Sequence, residues 1–130
     1  MTFLTIMNHP LSSEQKEYAK NEFGIENFLF LPDNLKEYFF DISPFEDLDL
    51  EKLNLVTEYI KNNLKKGDLV LIQTEFGVTF YLVDFCIKND FIPVYATSNR
   101  VYEEVINKDG TVNKKHIFKF VKFRKYKVYI

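Results

Sequence analysis

Apolar residues fall along this chain in short blocks whose spacing alternates between strand-like and helix-like. Phe3-Leu4-Thr5-Ile6-Met7 is a strand-like run closed by Asn8-His9-Pro10. Ser12 or Ser13 then offers a helix cap, with Gln15 or Lys16 in the first turn, and the helix runs to Phe23. Gly24 supplies the left-handed stop. Phe28-Leu29-Phe30-Leu31 predicts a second strand, closed by Pro32-Asp33 and followed by a short helix around Leu35–Asp41 and a turn at Ser43-Pro44. Leu53, Val56, Ile60 and Leu64 mark a longer helix that ends at Gly67. The block Leu69-Val70-Leu71-Ile72 is apolar without alternation, the pattern of a strand covered on both faces, and the strand runs on to residue 73. From Phe76 the period changes again: Phe80, Val83 and Ile87 recur at helical spacing within a helix at 76–89, and a strand follows at Ile92–Ala96.

Strands alternating with helices predict an α/β fold, a Rossmann-like, mostly parallel sheet flanked by helices. The tail breaks the rhythm. Val101–Asn107 and Val112–Tyr126 flank the turn sequence Lys108-Asp109-Gly110-Thr111, a hairpin signal, so a C-terminal β-hairpin is expected. In its second arm Phe118 and Phe120 share one face, whereas Val121 and Phe123 share the other. That slip in phase predicts a bulge, or a strand with both faces partly covered.

Composition fits one domain spanning residues 1–130, rich in Phe and Tyr and poor in glycine. The single cysteine, Cys86, has no partner for a disulfide, and the opening residues lack the basic region of an export signal. Both features predict a reducing, cytoplasmic setting, and no stretch is long enough to span a bilayer. Charge is distributed unevenly. Residues 1–110 hold ten Lys/Arg and nineteen Asp/Glu, a balance of −9, whereas residues 111–130 hold seven basic residues and no acid. A basic segment interleaved with Phe and Tyr suits an anion or a nucleic acid. Lysines on an edge strand also discourage aggregation, so a solvated edge hairpin is the competing reading.

In open α/β sheets ligands sit beyond the carboxyl ends of the strands. Three such ends carry polar clusters: Asn8-His9, Gln73-Thr74-Glu75, and Thr97-Ser98-Asn99-Arg100. Each has an ordinary structural use as well. His9 can bond its own turn, Thr97 and Ser98 can bond nearby backbone, Arg100 can pair with Glu103 or Glu104, and Glu75 can serve a helix dipole. No glycine-rich phosphate loop occurs, which argues against dinucleotide cofactors and nucleoside-triphosphate hydrolysis. No Cys/His/carboxylate spacing predicts a metal site, and no nucleophile elbow predicts a Ser-His-Asp triad.

Three segments, MNHPLSSEQ at 7–15, GDLVLIQTEFGVTFYLVDF at 67–85 and PVYATSNR at 93–100, resemble the small stand-alone ring nucleases of type III CRISPR systems. The tail FKFVKFRKY at 118–126 is similar to the same family. The segments occur in order over nearly the whole chain. The resemblance implies a relative of the CRISPR-associated Rossmann-fold (CARF) sensor domain, acting as a homodimer that degrades cyclic tetra-adenylate without a metal or other cofactor. It departs at two places: Thr74 stands where glycine is expected, and Phe120 where histidine is expected.

Metal-free cleavage of an RNA phosphodiester uses the neighbouring ribose 2′-hydroxyl and leaves a 2′,3′-cyclic phosphate, a reaction that positioning and electrostatics accelerate. The resemblance therefore assigns Arg100 as a fork for phosphate oxygens, with Gln73 and Thr97 aligning the reacting ribose. Ligand contacts are expected from Asn8, His9, Thr74, Glu75, Phe76, Gly77, Ser98 and Asn99, and from Arg124 with its stem beside Tyr126. Helix N-termini after the first and third strands are expected to add anion affinity. A protein that holds the messenger without cutting it is the alternative, and general nucleic-acid binding by the basic tail is not expected.

Overall fold

Leu69, Val70, Leu71 and Ile72 are all buried because helices cover both faces of the strand they form. The structure is a computed structural model and describes residues 1–130. In chain order the elements are β1 (Thr2–Met7), α1 (Ser13–Phe23), β2 (Asn27–Phe30), α2 (Asp33–Lys36), α3 (Leu50–Asn63), β3 (Leu69–Gln73), α4 (Phe76–Lys88), β4 (Ile92–Ile106) and β5 (Val112–Lys125). A single 3-10 turn, Glu37–Phe39, extends α2. One five-stranded sheet has the order β2-β1-β3-β4-β5. Its first four strands are parallel and β5 returns antiparallel to β4. The expected mixed α/β fold with a C-terminal hairpin is the fold observed.

Alternate residues of each central strand feed two cores. Leu4, Ile6, Val70 and Ile72 pack with Leu53, Val56 and Ile60 of α3 and Val78, Leu82 and Cys86 of α4. On the opposite face Phe3, Met7, Leu69, Leu71 and Val94 meet Ala19 of α1 and Phe123 of β5. Each fully buried Leu or Ile contributes about 1.5–3 kcal/mol by leaving water. Because α1 lies on one face and α3 and α4 on the other, the winding direction reverses between β1 and β3. That reversal opens a crevice at the carboxyl ends of those two strands.

Several elements differ from the sequence expectation. The α4 residues named from the sequence divide: Phe76 is 93% and Phe80 76% exposed, Val83 packs half-buried against the core, and the fully buried residues of the helix are Val78, Leu82 and Cys86. Helix α4 carries two apolar stripes, and the β-branched and leucine one takes the core. Strand β4 does not stop at Ala96 but runs unbroken to Ile106. Residues Thr97–Arg100 are therefore strand, not rim loop. Cross-strand pairing with β5, from Val94↔Lys125 to Ile106↔Val112, holds them extended. The predicted bulge is present, with Thr97↔Lys122 followed by Ser98↔Phe120, leaving Val121 unpaired. It brings Phe120 onto the same side as Phe123, at 4.9 Å between ring centroids, and both rings pack edge-on to Tyr18 of α1. Gly110 closes the hairpin at φ 84°, a conformation that glycine adopts without strain. No helix is long and apolar enough to cross a membrane.

Candidate functional site

The crevice between β1 and β3 contains a cavity of about 470 Å³. Asn8 and His9 from the end of β1 line one side, and Gln73 and Thr74 from the end of β3 line the floor. Phe76 and Thr79 of α4 form a second wall, and Tyr95 and Tyr126 a third. Two of the three polar clusters singled out in the sequence thus meet in one place. Tyr95, Tyr126 and Thr79 were missed, because nothing in their local pattern separates them from core aromatics or an ordinary helix threonine.

Gln73 is held in one orientation. Its side-chain oxygen accepts the backbone N–H of Ala96 at 2.9 Å, two residues past the last registered β3–β4 pair, Leu71↔Val94. With the oxygen so engaged, the amide nitrogen keeps both of its N–H donors for another partner. At Thr74 the backbone N–H donates to the Thr79 hydroxyl at 3.2 Å, while the Thr74 hydroxyl itself is buried with no partner. A buried hydroxyl without a partner carries a desolvation cost of about 1–3 kcal/mol.

The aromatic wall is equally constrained. Tyr126 donates its hydroxyl to the Ile72 carbonyl at 2.6 Å, and its backbone N–H donates to the Pro93 carbonyl at 3.0 Å. Burial, with a smaller effect from Tyr95, pushes the Tyr126 phenol above its ordinary pKa, so it stays protonated. Tyr95 packs against it with 4.8 Å between centroids. Arg124, the residue opposite Tyr95 on β5, lies over the Tyr95 ring at 5.6 Å and donates to its hydroxyl at 3.3 Å. Arg124 therefore stands at the cavity's aromatic wall, stacked on Tyr95 instead of beside Tyr126.

The helix N-termini do not offer free anion sites. Glu75 caps α4 with its own carboxylate, accepting the Gly77 N–H at 2.6 Å and the Val78 N–H at 3.3 Å. At α1, Ser12 and Gln15 form a reciprocal capping box. The sequence expectation of anion affinity at these two ends is corrected accordingly, since side chains already fill both. Gly77 faces away from the cavity, toward Leu48 and the Glu75 carboxylate.

The third cluster is not gathered here. Thr97 donates its hydroxyl to the Lys122 carbonyl at 3.2 Å, and Ser98, Asn99 and Arg100 extend along the exposed β4–β5 ribbon. Arg100 forms no ion pair with Glu103 or Glu104. Its Nε donates to His116 Nδ1 at 2.8 Å, and its guanidinium lies 5.9 Å from the Phe118 ring centre. No three His, Cys, Asp or Glu side chains converge as a metal-holding group. A separate apolar groove of about 460 Å³ adjoins the cavity, sharing Phe76, Thr79 and Tyr126 with it and running along Phe80, Val83 and Ile87 to Val128 and Tyr129.

No solved structure matches this chain significantly. A protein of Methanocaldococcus jannaschii named "Uncharacterized protein MJ1673" is 34% identical over 125 residues, which cover 95% of each chain. The family described as "Uncharacterized protein MJ1673 family" matches residues 1–124. The chain belongs to the MJ1673 family.

Proposed function

We propose that the β1/β3 rim binds a cyclic oligoadenylate, cyclic tetra-adenylate by the resemblance of the sequence motifs to the CRISPR ring nucleases, and opens it by attack of a ribose 2′-hydroxyl. The observation that carries this reading is the pinned Gln73 amide. Its two free donors stand beside an unpartnered Thr74 hydroxyl and an aromatic wall topped by a guanidinium. Uncharged donors for phosphate and ribose, a tyrosine face for a base and one nearby cation suit a nucleotide phosphodiester.

In the reaction, the 2′-oxygen bonds to phosphorus while the bond from phosphorus to the 5′-oxygen breaks. The proton lost from the 2′-hydroxyl is balanced by one gained at the 5′-oxygen. The products are a 2′,3′-cyclic phosphate and a 5′-hydroxyl on a linear chain. Gln73 and Thr74 orient the ribose and the phosphate, Arg124 offsets charge on the phosphorane, and Tyr95 stacks a base. A four-nucleotide ring is larger than one such cavity, so only part of it would lie within the rim. His9, whose imidazole can donate or accept a hydrogen bond, lines the same cavity.

One observation favours sequestration as a second reading. Phe120, in place of the expected histidine, is committed to packing on Tyr18 and Phe123, and the Tyr126 hydroxyl is committed to the Ile72 carbonyl. Few groups remain to act as a general acid. Mixing excess protein with labelled cyclic oligoadenylates of several ring sizes separates the readings. Linear product marks the enzyme, retention of intact ring marks the sequestering protein, and neither binding nor product overturns both.

A further inference from the structure

We propose that two copies of this chain join edge to edge along β4, antiparallel and centred on Tyr102, fusing their β4–β5 ribbons into one four-stranded sheet. One edge of β4 is unused over much of its length. Strand β3 pairs with β4 only as far as Leu71↔Val94, and the Gln73 side chain takes the amide of Ala96. From Ser98 to Ile106, β4 is bonded to β5 alone. This stretch is a two-stranded ribbon with two free edges, an arrangement that is marginal in water without a third strand or a covering layer. It also exposes Tyr102 (63%), Ile106 (77%) and Phe118 (69%).

The two edges differ in charge. Along the ribbon β5 carries Lys114, Lys115, Lys119 and Lys122 and no acid, so two β5 edges brought together gather cations with no carboxylate to pair them. Strand β4 carries both signs in Arg100, Glu103 and Glu104. Two-fold symmetry then limits the register. Residues directly opposite in an antiparallel pair share a face, and faces alternate along each strand. The axis must therefore pass through a pair of identical residues, not between positions.

Centred on Tyr102, Arg100 of each copy lies opposite Glu104 of the other, and the two Tyr102 side chains meet. Centred on Val101, Arg100 faces Tyr102 and no cation faces an acid. Centred on Glu103, the two Glu103 carboxylates oppose each other. Opposite charges across a pair stabilise a sheet and like charges destabilise it, so charge selects the Tyr102 register among these three. Glu104 would then sit between Lys114 of its own chain, its neighbour across the hairpin, and Arg100 of the second copy. The same register sets Ser98 opposite Ile106 of the second copy. Its hairpin turn, with Lys108, then continues alongside Thr97 and Ala96 toward the Gln73 end of the rim cavity. The pairing concerns how two copies meet and does not depend on which phosphodiester the rim accepts.

Sedimentation velocity on the full-length protein across the micromolar range tests the interface. Wild type should sediment as a dimer. Arg100→Glu and Glu104→Arg each place like charges opposite one another twice, and each should weaken the dimer at least tenfold, whereas R100E/E104R restores the pair and should recover it. Cys86 is fully buried, so an added surface cysteine is the only ready site of oxidation. Tyr102→Cys should cross-link as a dimer on oxidation, because opposite Cβ atoms lie about 4.5–5.5 Å apart. Asn99→Cys should not, since its symmetry mate lies roughly 20 Å away at about 3.3 Å per residue. Should a single reversal unfold the ribbon, the Tyr102→Cys result still decides. A monomer at all concentrations, a dimer indifferent to both reversals, or stronger cross-linking at 99 than at 102 would overturn the proposal.

Discussion

On the proposed reading Gln73 serves both stability and ligand binding, and two substitutions separate these. Its oxygen accepts the Ala96 amide at 2.9 Å, and its nitrogen is left to the cavity. In Gln73→Glu a carboxylate oxygen can still accept from Ala96, so the β3–β4 connection is retained. Both cavity-facing donors are lost, and a negative charge takes their place. Gln73→Ala removes the acceptor as well, leaving the part-buried Ala96 N–H without its partner at a cost of about 1 kcal/mol. With an unfolding entropy of about 2.1 cal/mol/K per residue over 130 residues, that loss lowers Tm by about 4 °C. Gln73→Glu should melt within about 2 °C of wild type, roughly half that shift. Ligand effects should rank the other way. Losing a donor aimed at developing phosphate charge costs about 2–4 kcal/mol, or roughly thirty- to a thousand-fold in single-turnover cleavage, with the repelling carboxylate placing Gln73→Glu at the severe end. Calorimetric melting and single-turnover assays on both variants provide the check. Cleavage by Gln73→Glu within about threefold of wild type, at unchanged Tm, would refute the assignment of the amide to the ligand.

Glu75→Gln keeps a cap on α4 while removing a carboxylate near the rim, and should tighten binding of a cyclic oligoadenylate several-fold at low salt; equal or weaker binding counts against an anionic ligand at this rim. Phe120→His should lower stability by about 1–3 kcal/mol, because the ring packs on Tyr18 and Phe123, and should not raise cleavage; a chemical-denaturation series and the cleavage assay test both halves. Burial pushes the Cys86 thiol up to about 12 from its ordinary 9.0, so native protein should resist a thiol reagent at pH 8. Between pH 9.0 and about 12 the unfolded chain ionises this thiol and the folded chain does not, so stability should fall with rising pH across that window. A Cys86→Ser chain with the same pH dependence would show that other groups cause the fall.

The elements of the parallel sheet were legible because their signals are local. The run Leu69–Ile72, the stop at Gly24 and the Asp109-Gly110 turn each specify backbone geometry within a few residues. The bulge was one of two readings that the change of phase around Phe120 and Val121 allowed, and pairing with β4 decides between them. Helix α4 was legible as a helix, but its core-facing residues were not, because it carries two apolar stripes and only contact with α3 and the sheet selects Val78, Leu82 and Cys86. The length of β4 was hidden for a related reason. Thr97-Ser98-Asn99-Arg100 has the composition of a loop, and it is extended only because β5 lies alongside. At the site, Asn8, His9, Gln73 and Thr74 were found by their place at strand ends, a rule of topology. Tyr95 and Tyr126 reach the cavity through β4, β5 and the segment after them, a relation that no local spacing encodes.

The most direct test of the central claim is product analysis of cyclic tetra-adenylate incubated with the pure protein in the presence of a chelator. The expected product is linear oligoadenylate ending in a 2′,3′-cyclic phosphate, formed at the same rate with and without chelator and strongly slowed by Gln73→Glu. A ring recovered intact and unbound at protein excess, or cleavage that Gln73→Glu leaves unchanged, would contradict it.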